Sequence, residues 1–132
     1  MNSETLKTLA HLRRAKDLMD RHYAEPLDVP AMAQRAAMSP AHFSREFKRA
    51  YGETPHSYLL TRRIERAMHL LRAGATVTDA CMQVGWTSLG SFSSRFTEVV
   101  GETPSSYRDR DHSATEAVPA CLAKLLLRPE RF

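Results

Sequence analysis

The stretch Phe43-Ser-Arg-Glu-Phe47-Lys-Arg-Ala-Tyr51-Gly52-Glu-Thr-Pro55-His-Ser-Tyr58 recurs as Phe92-Ser-Ser-Arg-Phe96-Thr-Glu-Val-Val100-Gly101-Glu-Thr-Pro104-Ser-Ser-Tyr107, each matching pair 49 positions apart. An internal repeat sets the architecture before any single element is read, because each copy must be one supersecondary unit. Upstream, Asp28, Val29, Met32, Ala33, Ala36 and Met38 face Thr76, Val77, Ala80, Cys81, Val84 and Trp86 at an offset of 48. The second copy therefore carries one extra residue, which the alignment puts near Leu89 to Ser91. Turns accommodate insertions and packed helices do not, so it is expected at the turn or in the first turn of the helix that follows.

Each copy reads as helix, tight turn, helix. In the first, Asp28 is a helix cap, Val29, Met32, Ala33 and Ala36 recur at helical spacing, and Ser39-Pro40 supplies a cap followed by proline at the first helical position. The next helix buries Phe43, Phe47 and Tyr51 before Gly52 ends it. In the second copy, Thr76 and Asp79 form a weak capping box, and Val77, Ala80, Cys81 and Val84 form the stripe. Gly85 then supplies the turn, Phe92 and Phe96 repeat the aromatic pair, and Gly101 stops the helix. Between the copies, Thr54-Pro55 opens a connector helix with an apolar face of Tyr58, Leu59, Ile64, Ala67, Met68, Leu70 and Leu71, ended by Gly74. A leading helix over Leu9, Leu12, Ala15, Met19 and Tyr23 is expected to stop at Glu25-Pro26. A short final helix begins at Thr103-Pro104.

Composition restricts function without choosing it. The 132 residues are 42% hydrophobic and 26% charged, with a formal charge of +4, which describes a globular protein and favours a polyanionic partner. Basic residues gather in the middle, where Arg45, Lys48, Arg49, Arg62, Arg63, Arg66 and Arg72 face only Glu46, Glu53 and Glu65, while acids gather near Asp109, Asp111 and Glu116. No apolar run approaches the roughly 20 residues of a membrane span, and Met1 to Lys7 has no signal-peptide core, so a cytoplasmic location and no membrane partner are expected. Cys81 and Cys121 have no CxxC neighbour, and the six histidines form no ligand pair, so neither a metal nor a cofactor is expected. With no Walker loop, GxSxG elbow or paired carboxylates, the reading is not that of an enzyme.

The chain resembles the DNA-binding domain of the AraC/XylS family of bacterial transcription regulators. The resemblance rests on Ala-Met-Ser-Pro at 37–40, on the connector Arg63-Ile-Glu-Arg-Ala67-Met-His-Leu70-Leu71, and on Val84-Gly85-Trp86 through Phe92, Phe96, Gly101, Pro104, Tyr107 and Arg108. It covers about residues 9 to 108 and is specific as a set. It implies an all-α, monomeric domain of seven helices, in which two helix-turn-helix subdomains joined by a central connector helix present two recognition helices to consecutive major grooves of double-stranded DNA. The expected domain is 1–108, with a first unit at about 9–52, the connector at about 55–73 and a second unit at about 76–108; residues 109–132 form a C-terminal extension. Three positions depart from the family: Trp86 stands where phenylalanine is usual, Thr97 where a basic residue is usual, and Ala37 where glycine or a similar turn residue is usual. Thr97 removes a phosphate contact, and Ala37 carries a strain of about 1 kcal/mol if its φ is positive.

Early, outward residues of a helix in the major groove reach base edges, while helix N-termini and basic side chains hold phosphates. In the first recognition helix this selects Ala41, His42, Ser44 and Arg45 for bases, and Ser39, Lys48 and Arg49 for phosphates. Arg45 is the strongest reader, because its fork pairs with O6 and N7 of guanine. In the second helix, Leu89, Gly90, Ser91 and Ser94 face bases without any bidentate group, and Thr87, Ser93 and Arg95 are assigned to phosphates. Arg95 stands one place after Ser94, the counterpart of Arg45, and so points about 100° away. The first unit is therefore expected to choose sequence and the second to anchor. Phe43, Phe47, Phe92, Phe96 and Trp86 recur at helical spacing beside apolar stripes and read as core, not as stacking platforms for single strands.

A competing reading is a protein-binding module that meets RNA polymerase or another regulator without reading DNA, motivated by the weak second helix; RNA polymerase is also an expected partner of the DNA-binding reading. The apolar residues from Val118 to Leu127 either pack back on the domain or form a dimer contact through residues 113–132. With no room for a sensing domain before Leu9, control through the chain's own abundance is expected, unless another protein carries the signal.

Overall fold

The computed structural model describes residues 2–110 and 112. Seven helices and no strand lie among them: α1 (Ser3–Arg21), α2 (Val29–Arg35), α3 (Pro40–Tyr51), α4 (Pro55–Arg72), α5 (Val77–Gln83), α6 (Leu89–Val100) and α7 (Pro104–Asp109). They fall into two compact units, which part within α4 between Leu60 and Thr61. The extension beyond 112, with its apolar residues and the proposed dimer contact, lies outside the described residues.

Local chemistry accounts for the boundaries. The side chains of Asp28, Ser39, Thr76, Ser88 and Thr103 each accept a backbone N–H three residues on, which satisfies a donor that the first turn would otherwise leave open. Gly52 (φ 81°) and Gly101 (φ 94°) take the left-handed conformation that closes α3 and α6. The leading helix differs from expectation at both ends. It starts at Ser3, capped by Asn2, whose side chain accepts from the Thr5 N–H at 2.8 Å, because a polar first turn leaves no apolar stripe to betray it. It stops at Arg21, ahead of Glu25-Pro26; His22 ends it, and the following turn is held by the His22–Glu25 side-chain pair. Tyr23, expected within that helix, lies past its end and still packs on the core.

In the first unit the core joins Leu12, Ala15 and Met19 of α1, Met32 and Ala33 of α2, Ala36 just after it, Phe43, Phe47 and Tyr51 of α3, and Tyr58 and Leu59 of α4. Its rings touch in series, Phe43 to Phe47 at 5.6 Å and Phe47 to Tyr58 at 5.6 Å. The second unit repeats this 49 residues later, with Phe92 to Phe96 at 5.8 Å and Phe96 to Tyr107 at 5.6 Å. The expected connector face is buried except at half-buried Leu70, and Thr61 and Arg63 are buried as well.

The repeat extends further back than the sequence alignment reached. Ile64, Ala67 and Leu71 of α4 stand 52 positions after Leu12, Ala15 and Met19 of α1, and all six are buried. Each tyrosine hydroxyl then bonds to a charged group at the corresponding end of that helix. Tyr58 donates to Asp20 Oδ1 at 2.8 Å, and Arg72 Nη1 donates to the Tyr107 hydroxyl. The extra residue of the second copy is Thr87, in the turn, not a residue between Leu89 and Ser91. Backbone bonds Met38 to Ala33 and Trp86 to Cys81 keep the offset of 48, while Phe43 to Ser39 and Phe92 to Ser88 already show 49.

Candidate nucleic-acid interface

The buried rings decide which side of each recognition helix is left for a ligand. With Phe43 and Phe47 fully buried, α3 exposes Ala41, His42, Arg45, Lys48 and Arg49, and leaves Ser44 half-buried. Ser39 caps the helix and sits exposed at its start. Among the described residues, Arg45 and Lys48 have no ion-pair partner, whereas Arg49 lies 3.4 Å from the Glu46 carboxylate. Lys48 and Arg49 occupy the last turn, where the helix dipole favours cations.

The equivalent face of α6 differs. Thr87, Leu89, Gly90, Ser91 and Ser94 are exposed, and Ser93 is half-buried. Three of its polar groups are already engaged within the unit. Thr97 Oγ1 donates to the Ser93 carbonyl at 2.8 Å, Trp86 Nε1 donates to Ser91 Oγ at 3.3 Å, and Arg95 lies 3.7 Å from Glu98. Arg95 and Glu98 stand where the first unit has Glu46 and Arg49, so the second helix keeps the i,i+3 pair with its charges exchanged. The pair turns half-buried Arg95 toward its own helix, a weaker placement for a phosphate ligand than the exposed Lys48.

The basic middle read from composition is narrower in space. Arg45, Lys48 and Arg49 are exposed, but Arg62, Arg66 and Arg72 are half-buried and Arg63 is buried. Arg62 meets Glu65 at 3.8 Å, Arg72 serves Tyr107, and burial holds the Arg63 guanidinium below its ordinary pKa. Burial and these contacts set the connector arginines apart from the exposed cations of α3. Arg108 is also structural: its guanidinium donates to the carbonyls of Ala75 at 2.8 Å and Gly74 at 3.4 Å, in the turn between α4 and α5.

The Trp86–Ser91 bond escaped the sequence reading, although a signal for it was present. An indole placed in a core needs an acceptor for its N–H, and Ser91 lies five residues on. Among the described residues, no group of three or more His, Cys, Asp or Glu side chains is arranged to hold a metal ion. No described helix is long and apolar enough to cross a membrane.

Two capped helix pairs, each with an exposed second helix backed by a Phe pair, define a double helix-turn-helix protein. The model of a family described as "Helix-turn-helix domain" matches residues 32–110. The solved DNA-binding domain of AdpA, a global transcriptional factor captured with a target DNA, is 29% identical, with a TM-score of 0.71 over 81% of this chain and 94% of its own. An AraC-type transcriptional regulator from Chromobacterium violaceum is 28% identical, with a TM-score of 0.71 over 89% and 99%. An uncharacterized HTH-type transcriptional regulator of Staphylococcus aureus (strain COL) is 32% identical over 101 residues, 76% of this chain but only 14% of that protein, so the chain matches about a seventh of that relative. The chain belongs to the AraC-type helix-turn-helix family of DNA-binding transcription regulators, a family without enzymatic activity.

Proposed function

We propose that the chain reads a double-stranded site with α3 and anchors on it with α6, the two helices entering successive major grooves. Residues 1–108 act as the DNA-binding domain, working as a monomer, with RNA polymerase as the protein partner. In α3, Arg45 forks onto a guanine, Ala41, His42 and Ser44 meet neighbouring base edges, and Ser39, Lys48 and Arg49 hold phosphates. In α6, Leu89 meets a thymine methyl, Gly90, Ser91 and Ser94 approach base edges at short range, and Thr87, Ser93 and Arg95 serve the backbone.

One observation carries this division of labour. Among the described residues, Arg45 and Lys48 stand exposed and without ion-pair partners on α3, whereas the only arginine of α6 is half-buried beside Glu98. The capture of the AdpA domain on a target DNA supports the duplex as ligand. Selection of bound sequences from random duplexes tests the reading, and a non-palindromic site of two boxes about 10 base pairs apart is expected. Arg45→Ala should lower the ratio of selected to random DNA affinity by about tenfold or more. The division fails if that ratio barely moves while substitution of Leu89 or Ser94 abolishes it. Binding that does not weaken as salt rises would remove the duplex itself as the ligand.

A further inference from the structure

We infer that Trp86 is a positioning residue for recognition: its indole holds the Ser91 hydroxyl in one orientation and makes it a hydrogen-bond donor toward the duplex. The inference rests on the reading of α6 as a DNA-contacting helix.

The Trp86 ring has little freedom. It is 9% exposed and meets Phe92 edge-on at 5.5 Å with 65° between planes. Its backbone N–H bonds to the Cys81 carbonyl at 3.0 Å, and its own carbonyl accepts from Cys81 Sγ at 3.7 Å. A core-held ring fixes the direction of its N–H, and that N–H reaches Ser91 Oγ at 3.3 Å. Ser91 is the third residue of α6, exposed, with its backbone N–H already given to Ser88 Oγ at 3.2 Å.

A serine hydroxyl offers one donor and two lone pairs. Here the indole takes one lone pair, and a hydroxyl that accepts a bond is polarised to donate more strongly and to accept a second bond less well. The fitting ligand atoms are acceptors: phosphate oxygens, guanine O6 and N7, adenine N7 and thymine O4. The amino groups of cytosine and adenine, which would have to donate to the remaining lone pair, fit less well. Orienting the hydroxyl before the duplex arrives also removes part of the cost of ordering it at the interface. The first unit lacks the device, since Met38 and His42 occupy the matching positions and a thioether has no N–H to give.

The experiment compares the full chain with Trp86→Phe, Ser91→Ala and the double variant on the selected duplex and on its single-base variants in the second box. Trp86 is the only tryptophan, so its indole N–H gives one assignable signal in a nitrogen–proton spectrum. Ser91→Ala should speed exchange of that proton with solvent. Each single substitution should weaken binding about three- to tenfold, the size of one hydrogen bond to an oriented partner, and the double variant should bind no worse than Ser91→Ala alone. A loss confined to one base position identifies a base acceptor, and a uniform loss over all sequences identifies a phosphate oxygen. Either pattern supports the inference.

Three results would overturn it: a Trp86→Phe variant that binds every duplex as the parent does, losses that simply add in the double variant, or an indole exchange rate indifferent to Ser91→Ala. Ser91→Ala leaves the core intact, so the exchange measurement still decides the matter even if Trp86→Phe unfolds. If the parent chain ignores duplexes at low salt, the DNA reading falls and takes this inference with it. Parent binding with an indifferent Trp86→Phe sinks the present inference alone.

Discussion

At the scale of single residues, backbone angle decides what a glycine is for. A β-carbon added at Gly90 or Gly101 would meet nothing within 4 Å, yet Gly101 sits at φ +94° and Gly90 lies inside α6. Gly90→Ala, which restores the alanine that the first copy has at position 41, should therefore raise stability by about 0.5 kcal/mol. Gly101→Ala should lower it by about 1 kcal/mol, because only glycine tolerates that angle without strain. Urea unfolding of both variants checks the opposite signs. Ala37, at φ 56°, shows the same strain in place, as expected from its position in the turn. Burial raises the pKa of the Cys81 thiol, so the folded state favours the neutral thiol. Stability tied to this group should be complete below the unfolded thiol's pKa and decline as pH rises toward the folded value. Unfolding curves at pH 8 and pH 10 should thus differ less for Cys81→Ala than for the parent chain, and the native thiol should react slowly with iodoacetamide.

At the scale of elements, α3 and α6 share a framework and differ in charge. Both carry a serine cap, a buried Phe pair and a C-terminal glycine in the left-handed conformation. Removing either cap, Ser39→Ala or Ser88→Ala, should cost about 1 kcal/mol in thermal unfolding. Outside that framework, α3 holds Arg45, Lys48 and Arg49 against Glu46, whereas α6 holds Arg95 against Glu98. Each phosphate contact contributes to the salt dependence of affinity, so Lys48→Ala should reduce the slope of log K against log salt by about 0.9. Arg95→Ala should change it less, because the side chain already lies beside Glu98. Equal slopes for the two variants would contradict the view of Arg95 as the weaker contact.

At the scale of the molecule, α4 closes one unit and opens the next. Its first residues give Tyr58 and Leu59 to the first core, and its remainder stands in the second unit as α1 stands in the first. The two tyrosines mark the equivalence, one donating to Asp20 and the other accepting from Arg72. Tyr58→Phe and Tyr107→Phe keep each ring and remove one hydrogen bond with a charged partner, so each should cost about 1–2 kcal/mol, measured by thermal unfolding. If both are neutral, the rings alone hold these helices.

The repeat, the caps, the aromatic pairs and the glycine stops were legible in the chain, because each is a short-range rule in which a residue type and its spacing already state the geometry. Residues at 41, 42, 45, 48 and 49 could be placed on an outward face for the same reason: the buried Phe43 and Phe47 orient a helix completely. The match of α1 to α4 was not legible, since burial preserves size and apolarity while leaving identities such as Leu12 and Ile64 free to change. Nor did charge in the sequence reveal which arginines face water; packing draws Arg62, Arg63, Arg66 and Arg72 inward and leaves Arg45 outside. The sequence signalled that a core indole at Trp86 needs an acceptor, but tertiary structure alone decided that Ser91 supplies it and that Arg95 lies beside Glu98, because a side-chain contact depends on distances of a few tenths of an ångström that spacing alone does not fix.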